Sequence, residues 1–178
     1  MVLQWYSVFS SSSLTSTSTS NSTSKCAEEG YNVMLLHFLA HVHIEQQHGE
    51  LALECYKIVQ PIFPHSHYLQ TQMALAHYTL LEYEQALTGF EQIRQEDPHR
   101  MDHMDTYSNI LYVKELRADL STLARLVVKV NKLCPQSCCV VGNYYSLRGS
   151  HEKAVYFRRA LKLNPEFFIR LVLDLITI

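Results

Sequence analysis

Turn-forming residues are scarce in this 178-residue chain, which has only five Gly and five Pro. An all-β fold needs such residues at its many turns, so their scarcity argues against one. Charge excess is also missing: the formal net charge of −2 gives no global pull toward nucleic acid or an anionic membrane. The five cysteines are odd in number and two are adjacent, which makes a disulfide framework a poor fit. Reduced thiols suit a protein of the nucleus and cytoplasm, the compartments expected here. No Lys or Arg precedes Lys25 and no early apolar run reaches seven residues, a poor pattern for a secretory signal. The absence of Arg there argues equally against an organelle transit peptide. Long apolar runs are lacking too. The strongest, "EFFIRLVLDLITI", has 13 residues and carries Arg170 and Asp174, too short to span a bilayer. Neither a membrane nor a nucleic acid is therefore an expected partner.

Catalytic signatures are missing as well. The chain has no G-x-S-x-G, and "GNYYSLRG" lacks the GK[ST] ending of a phosphate loop. Ten histidines raise the question of a metal, since His37 and His41 are spaced i, i+4, as are His99 and His103. A structural zinc needs four ligands and a catalytic one three plus water, and no third ligand sits at motif spacing. "HFLAH" also lacks the Glu of HExxH. Cys138 and Cys139 open a helix, where a thiol pKa can fall, but neither has a His beside it in sequence. The expectation is a chain without catalytic residues, metal or cofactor.

What the chain does have is apolar content, at 47%, enough for one core. Between Ser7 and Ser24, 14 of the 18 residues are Ser or Thr, so residues 1–30 read as a disordered segment. Charge is split along the chain. Val33 to Tyr112 holds three Lys/Arg against ten Asp/Glu, whereas Val113 to Pro165 holds ten Lys/Arg against three.

A period of 34 residues organises the rest. Counting units from residues 33, 67, 101 and 135, position eight is always small: Ala40, Ala74, Ser108, Gly142. Position twenty is Ala52, Ala86, Leu120 and Ala154, position twenty-four Tyr56, Phe90 and Ala124, and position twenty-seven Val59, Ile93 and Val127. Pro64 and Pro98 stand at position thirty-two, with Lys132 in the third unit. Small residues at eight and twenty let two helices approach closely, and proline ends the second helix by breaking its hydrogen-bond ladder. This pattern resembles the tetratricopeptide repeat. It predicts an all-α solenoid of about four helix-turn-helix units over 31–167, at 33–66, 67–100, 101–134 and 135–167, with 168–178 as an apolar, divergent C-terminal helix. The fourth unit is irregular: Phe157 follows Ala154 after three steps rather than four. A missing residue there rotates the remainder of the helix by about 100°.

Longer strings are more specific than the repeat. "MDTYSNILYVKELRADLSTLA" and "CCVVGNYYSLRGSHEKAVYFRRALKLNP" resemble the middle repeats of the subunit 8 family of the anaphase-promoting complex (cyclosome), and "FLAHVHIEQQHGELALECY" and "YLQTQMALAHYTLLEYEQALTGFEQIRQEDPHR" resemble the units that precede them. The resemblance runs from about residue 31 to 165. It implies a non-catalytic scaffold of a ubiquitin ligase acting in mitotic exit, with the other subunits of that complex as partners. The alternatives are an independent repeat adaptor holding an extended peptide tail in its concave groove, and a truncated product without function. In repeats of this kind positions two, five, nine and twelve of the first helix line the groove. Here these include His37, His41, Thr71, Leu75, Tyr78, Asp105, Asn109, Tyr112, Cys139 and Asn143, with Asn109 and Asn143 the foremost pair. His43 and His77 occupy position eleven, where tyrosine usually packs. The apolar end, with Phe167, Phe168, Leu171, Val172 and Leu175, is expected to drive self-association.

Overall fold

A computed structural model describes residues 22–150 and 153–165. The Ser/Thr-rich run through residue 21 lies outside the described residues, and so does the apolar stretch from residue 166 with the self-association expected of it. Eight helices and no strand make up the described chain: α1 (Ser22–Glu45), α2 (Gly49–Val59), α3 (His67–Thr79), α4 (Tyr83–Glu96), α5 (Met104–Val113), α6 (Arg117–Asn131), α7 (Pro135–Leu147) and α8 (Lys153–Leu163). Residues 22–30, expected to be disordered, form the start of α1. Ala27, Glu28 and Glu29 favour a helix intrinsically. The chain forms two compact units, one ending at Leu35 and one running from Leu36. The second unit carries the repeated hairpins.

The repeat is written into the backbone more strictly than into the side chains. Gln47, Leu81, Glu115 and Gly149 are 34 residues apart, and all are left-handed, with φ of 62°, 60°, 55° and 70°. Each sits just past the first helix of its hairpin. The amide of the next residue reaches back to a carbonyl five residues earlier: His48 to His43 (2.8 Å), Glu82 to His77 (3.0 Å), Leu116 to Leu111 (2.9 Å) and Ser150 to Tyr145 (3.0 Å). This is the Schellman ending, which satisfies the last carbonyls of a helix and turns the chain sharply. Glycine takes this conformation without penalty, whereas a residue with a Cβ pays about 1–2 kcal/mol. Three of the four hairpins accept that cost.

The anchors predicted from the period form the core. Ala40, Ala52, Tyr56, Val59, Ala86, Phe90, Leu120 and Val127 are completely buried, and Ala74 and Ile93 nearly so. Close approach is visible at Gly89, where an added Cβ would lie 3.1 Å from that of Ala74. In the fourth hairpin the corresponding pair is inverted. A Cβ on Gly142 would meet the Phe157 ring at 2.8 Å, so the large residue stands on the second helix and the small one on the first. The slip expected in this hairpin shows in the burial: Ala160 is 1% exposed, one position ahead of where Val59, Ile93 and Val127 lie in the earlier units.

Ends and junctions have local causes. Ser66 caps α3 by accepting from the Leu69 amide at 3.3 Å. The third unit lacks its proline, and α6 ends at Asn131 instead, with Pro135 in the first turn of α7. Ser137 Oγ donates to the Asn131 carbonyl at 2.5 Å, tying that end to the next helix. Between α4 and α5, Phe90 and Tyr107 pack with ring centroids 5.7 Å apart, and Lys114 pairs with Glu84 across the same junction.

Candidate functional site

Register through the last two hairpins is held by hydrogen bonds between equal repeat positions. Asn143 on α7 donates through Nδ2 to Asn109 Oδ1 on α5 at 2.8 Å, both residues standing at position nine. The same amide nitrogen lies 2.8 Å from Ser108 Oγ. Ser108 Oγ in turn donates to the Asp105 carbonyl at 2.7 Å. At position twelve, Ser146 Oγ donates to the Tyr112 hydroxyl at 3.4 Å, a longer contact. Asn109 and Asn143 are buried, at 8% and 7% exposure, and so is Asp105 at 5%. A buried amide is stable only when its polar atoms are partnered, so this ladder specifies how α7 seats on α5.

The sequence singled out the two asparagines and missed Ser108 and Ser146. A signal for them existed: Ser146 is the position-twelve counterpart of Tyr112, and Ser108 adjoins Asn109. Polar residues recurring at one repeat position are candidates to meet.

The remaining predicted groove residues are placed differently. His37 is half-buried, with its ring 6.2, 6.5 and 6.0 Å from those of Tyr56, Phe63 and Tyr68. Burial holds its pKa below the ordinary 6.5, because the charged form is disfavoured there. Thr71 is buried and donates to the His67 carbonyl at 2.7 Å. Leu75 and Cys139 are core residues, at 4% and 0% exposure. Tyr78 is half-buried with its ring 6.1 Å from Tyr83, and His41 is exposed. At position eleven, His43 is half-buried with both ring nitrogens shielded and without a hydrogen-bond partner, whereas His77 Nδ1 meets Glu82 Oε2 at 2.7 Å.

Thiol and metal chemistry can be placed too. Cys134, not Cys138, caps α7, receiving the Ser137 amide at 3.4 Å. Cys138 and Cys139 lie in the core with Ala160 and Phe157. Burial pushes the Cys138 thiol up, with the Arg159 charge opposing, so a helix-start thiolate does not form there. Among the described residues no three His, Cys, Asp or Glu side chains converge as metal ligands. No described helix is long and apolar enough to cross a membrane.

The chain matches no family profile. Individual relatives match over most of it. Anaphase-promoting complex subunit 8 of Arabidopsis thaliana is 49% identical over 131 residues, 73% of this chain and 23% of that protein. The subunit of the same name in Dictyostelium discoideum is 42% identical over 73% of this chain and 22% of its own length. Anaphase-promoting complex subunit CDC23 of Saccharomyces cerevisiae is 37% identical over 76% and 22%. The chain thus spans less than a quarter of each of these relatives. Over about three quarters of its length the chain belongs with the subunit 8 family of the anaphase-promoting complex, tetratricopeptide-repeat proteins of which it spans a part.

Proposed function

We propose that this chain is a non-catalytic scaffold piece of the anaphase-promoting complex, a ubiquitin ligase of cell-cycle progression and mitotic exit, working in nucleus and cytoplasm. The observation that carries the reading is the agreement between the relatives' identity and the hydrogen-bonded 34-residue register. The matched stretch is 49% identical to a named subunit, and its Asn109–Asn143 bond links equivalent positions of successive hairpins. Hairpins held in register build the continuous solenoid surface that repeat proteins use for binding. The relevant experiment is affinity purification of the tagged chain from dividing cells, with mass spectrometry of the proteins that accompany it. The other subunits of the complex are the expected companions. Chaperones alone would overturn the scaffold reading.

A narrower reading adds a peptide tail in the groove. Of the ten groove residues, His37, His41, Tyr78 and Tyr112 keep accessible surface, so they are the side chains able to reach such a peptide. Self-association through the apolar C-terminal end is the remaining partner proposal. Light scattering at micromolar concentration tests it, and a monodisperse monomer would sink it.

A further inference from the structure

The surplus of positive charge in the second half of the chain converges on one cleft. It lies between α6, α7 and α8 and has a volume of about 730 Å³. Arg125, Lys129 and Lys132 line it from α6 and its end, Arg159 from α8, and Tyr144 and Tyr156 complete the wall. No Asp or Glu lines it. All four cations are exposed, and among the described residues none forms an ion pair. Two basic groups elsewhere do find carboxylates: Lys114 pairs with Glu84, and Arg100 with Asp102 at 3.3 Å. The cleft is therefore a place where cations gather without internal compensation. Four like charges around one depression repel one another, and a bound anion relieves that repulsion.

We propose that this cleft docks an extended acidic segment of a partner protein, with Asp or Glu at alternate positions. Spacing selects this occupant. Arg125, Lys129 and Lys132 follow one another at i, i+4 and i+7, so they share one face of the helix line and stand about 6 and 4.5 Å apart along it. Alternate side chains of an extended peptide lie on one face about 7 Å apart, a wider step that the long Arg and Lys stems can reach across. Arg125 and Arg159 supply planar forks for carboxylates, and the lysines supply compact charges. The aromatic wall is rigid: Tyr145 and Tyr156 stack with centroids 5.3 Å apart and planes 14° from parallel. Arg148 lies over Tyr144 at 5.6 Å and its guanidinium donates to that hydroxyl at 3.1 Å, which fixes the ring at the mouth of the cleft. This docking role stands independently of membership in the ligase assembly.

The test uses the purified full chain and a fluorescein-labelled peptide with Glu at alternate positions separated by Gly and Ser, read by fluorescence anisotropy. Saturable binding that weakens at least tenfold between 50 and 500 mM salt is expected. A peptide with Gln at the same positions should bind at least tenfold more weakly. Lys129→Glu combined with Arg159→Glu should lose at least tenfold, whereas Arg117→Glu, exposed on α6 outside the cleft, should change binding by less than twofold. Circular dichroism checks that each variant keeps its helices. Equal binding of the Gln peptide, insensitivity to the double reversal, or tighter binding of single-stranded RNA than of the acidic peptide would each overturn the proposal.

Discussion

The first and last junctions between hairpins solve one problem with opposite chemistry. Near the start of the second unit, His37 sits within a group of rings, Tyr56, Phe63 and Tyr68, and its buried Nδ1 has no hydrogen-bond partner. Between α5 and α7, the Asn143 side chain donates to both Asn109 Oδ1 and Ser108 Oγ at 2.8 Å. The aromatic junction tolerates sliding, because ring contacts change gradually with distance. The amide ladder does not, since a shift of one residue would strand buried polar atoms. Adhesion thus dominates the early junction and register the late one.

The largest effect should come from the apolar core that both junctions rest on. Phe90→Ala removes a fully buried ring packed on Tyr107 and should cost about 3–5 kcal/mol, read from the urea midpoint at constant slope. An equal or smaller loss than that of Asn143→Ala would break the ranking of core above ladder.

Asn143→Ala comes next. It takes the donor from Asn109 Oδ1 and Ser108 Oγ in a buried setting and should cost about 2 kcal/mol. Combined with Asn109→Ala, the two losses should add up to less than their sum by about 1 kcal/mol. Additive losses would show that the amides act separately.

The hairpin turns give a smaller effect of two signs. Gly149→Ala places a Cβ at φ of 70° with no neighbour within 4 Å, so only the backbone penalty remains, about 1 kcal/mol. Leu81→Gly, at φ of 60°, should stabilise by up to about 1 kcal/mol. Thermal midpoints moving the same way for both variants would contradict the left-handed register.

Acidification should show the smallest effect at the aromatic junction. Burial lowers the His37 pKa, so below the ordinary value of 6.5 the unfolded chain binds the proton more readily than the folded one. Its contribution is intact above that pH and is lost as pH falls toward the depressed native value. Urea midpoints at pH 7.5 and 5.5 should therefore differ more in the parent protein than in His37→Gln. Equal differences would remove His37 from the pH response.

Much of this architecture was legible in the residues. Small side chains at position eight and bulky ones at positions twenty-four and twenty-seven announced where helices meet, because steric fit at a close crossing leaves few choices. The candidate site was legible only in part. Asn109 and Asn143 stood out by their shared position, but residues assigned to an open groove, such as Thr71, Leu75 and Cys139, are buried. Position numbers report which way a residue points, not what has packed over it.

The sequence by itself determined the helical class, the 34-residue period and the core anchors, since apolar spacing and side-chain volume act locally and repeat. Only the tertiary structure decided the rest. It placed Gln47, Leu81 and Glu115 in the left-handed turns that their side chains disfavour, because helix stacking overrides a local cost of that size. It also bonded Asn143 to Asn109, and gathered Arg125, Lys129, Lys132 and Arg159 around one cleft. Hydrogen-bond partners and fields of charge depend on distances in space, which residues on different helices acquire only when those helices pack.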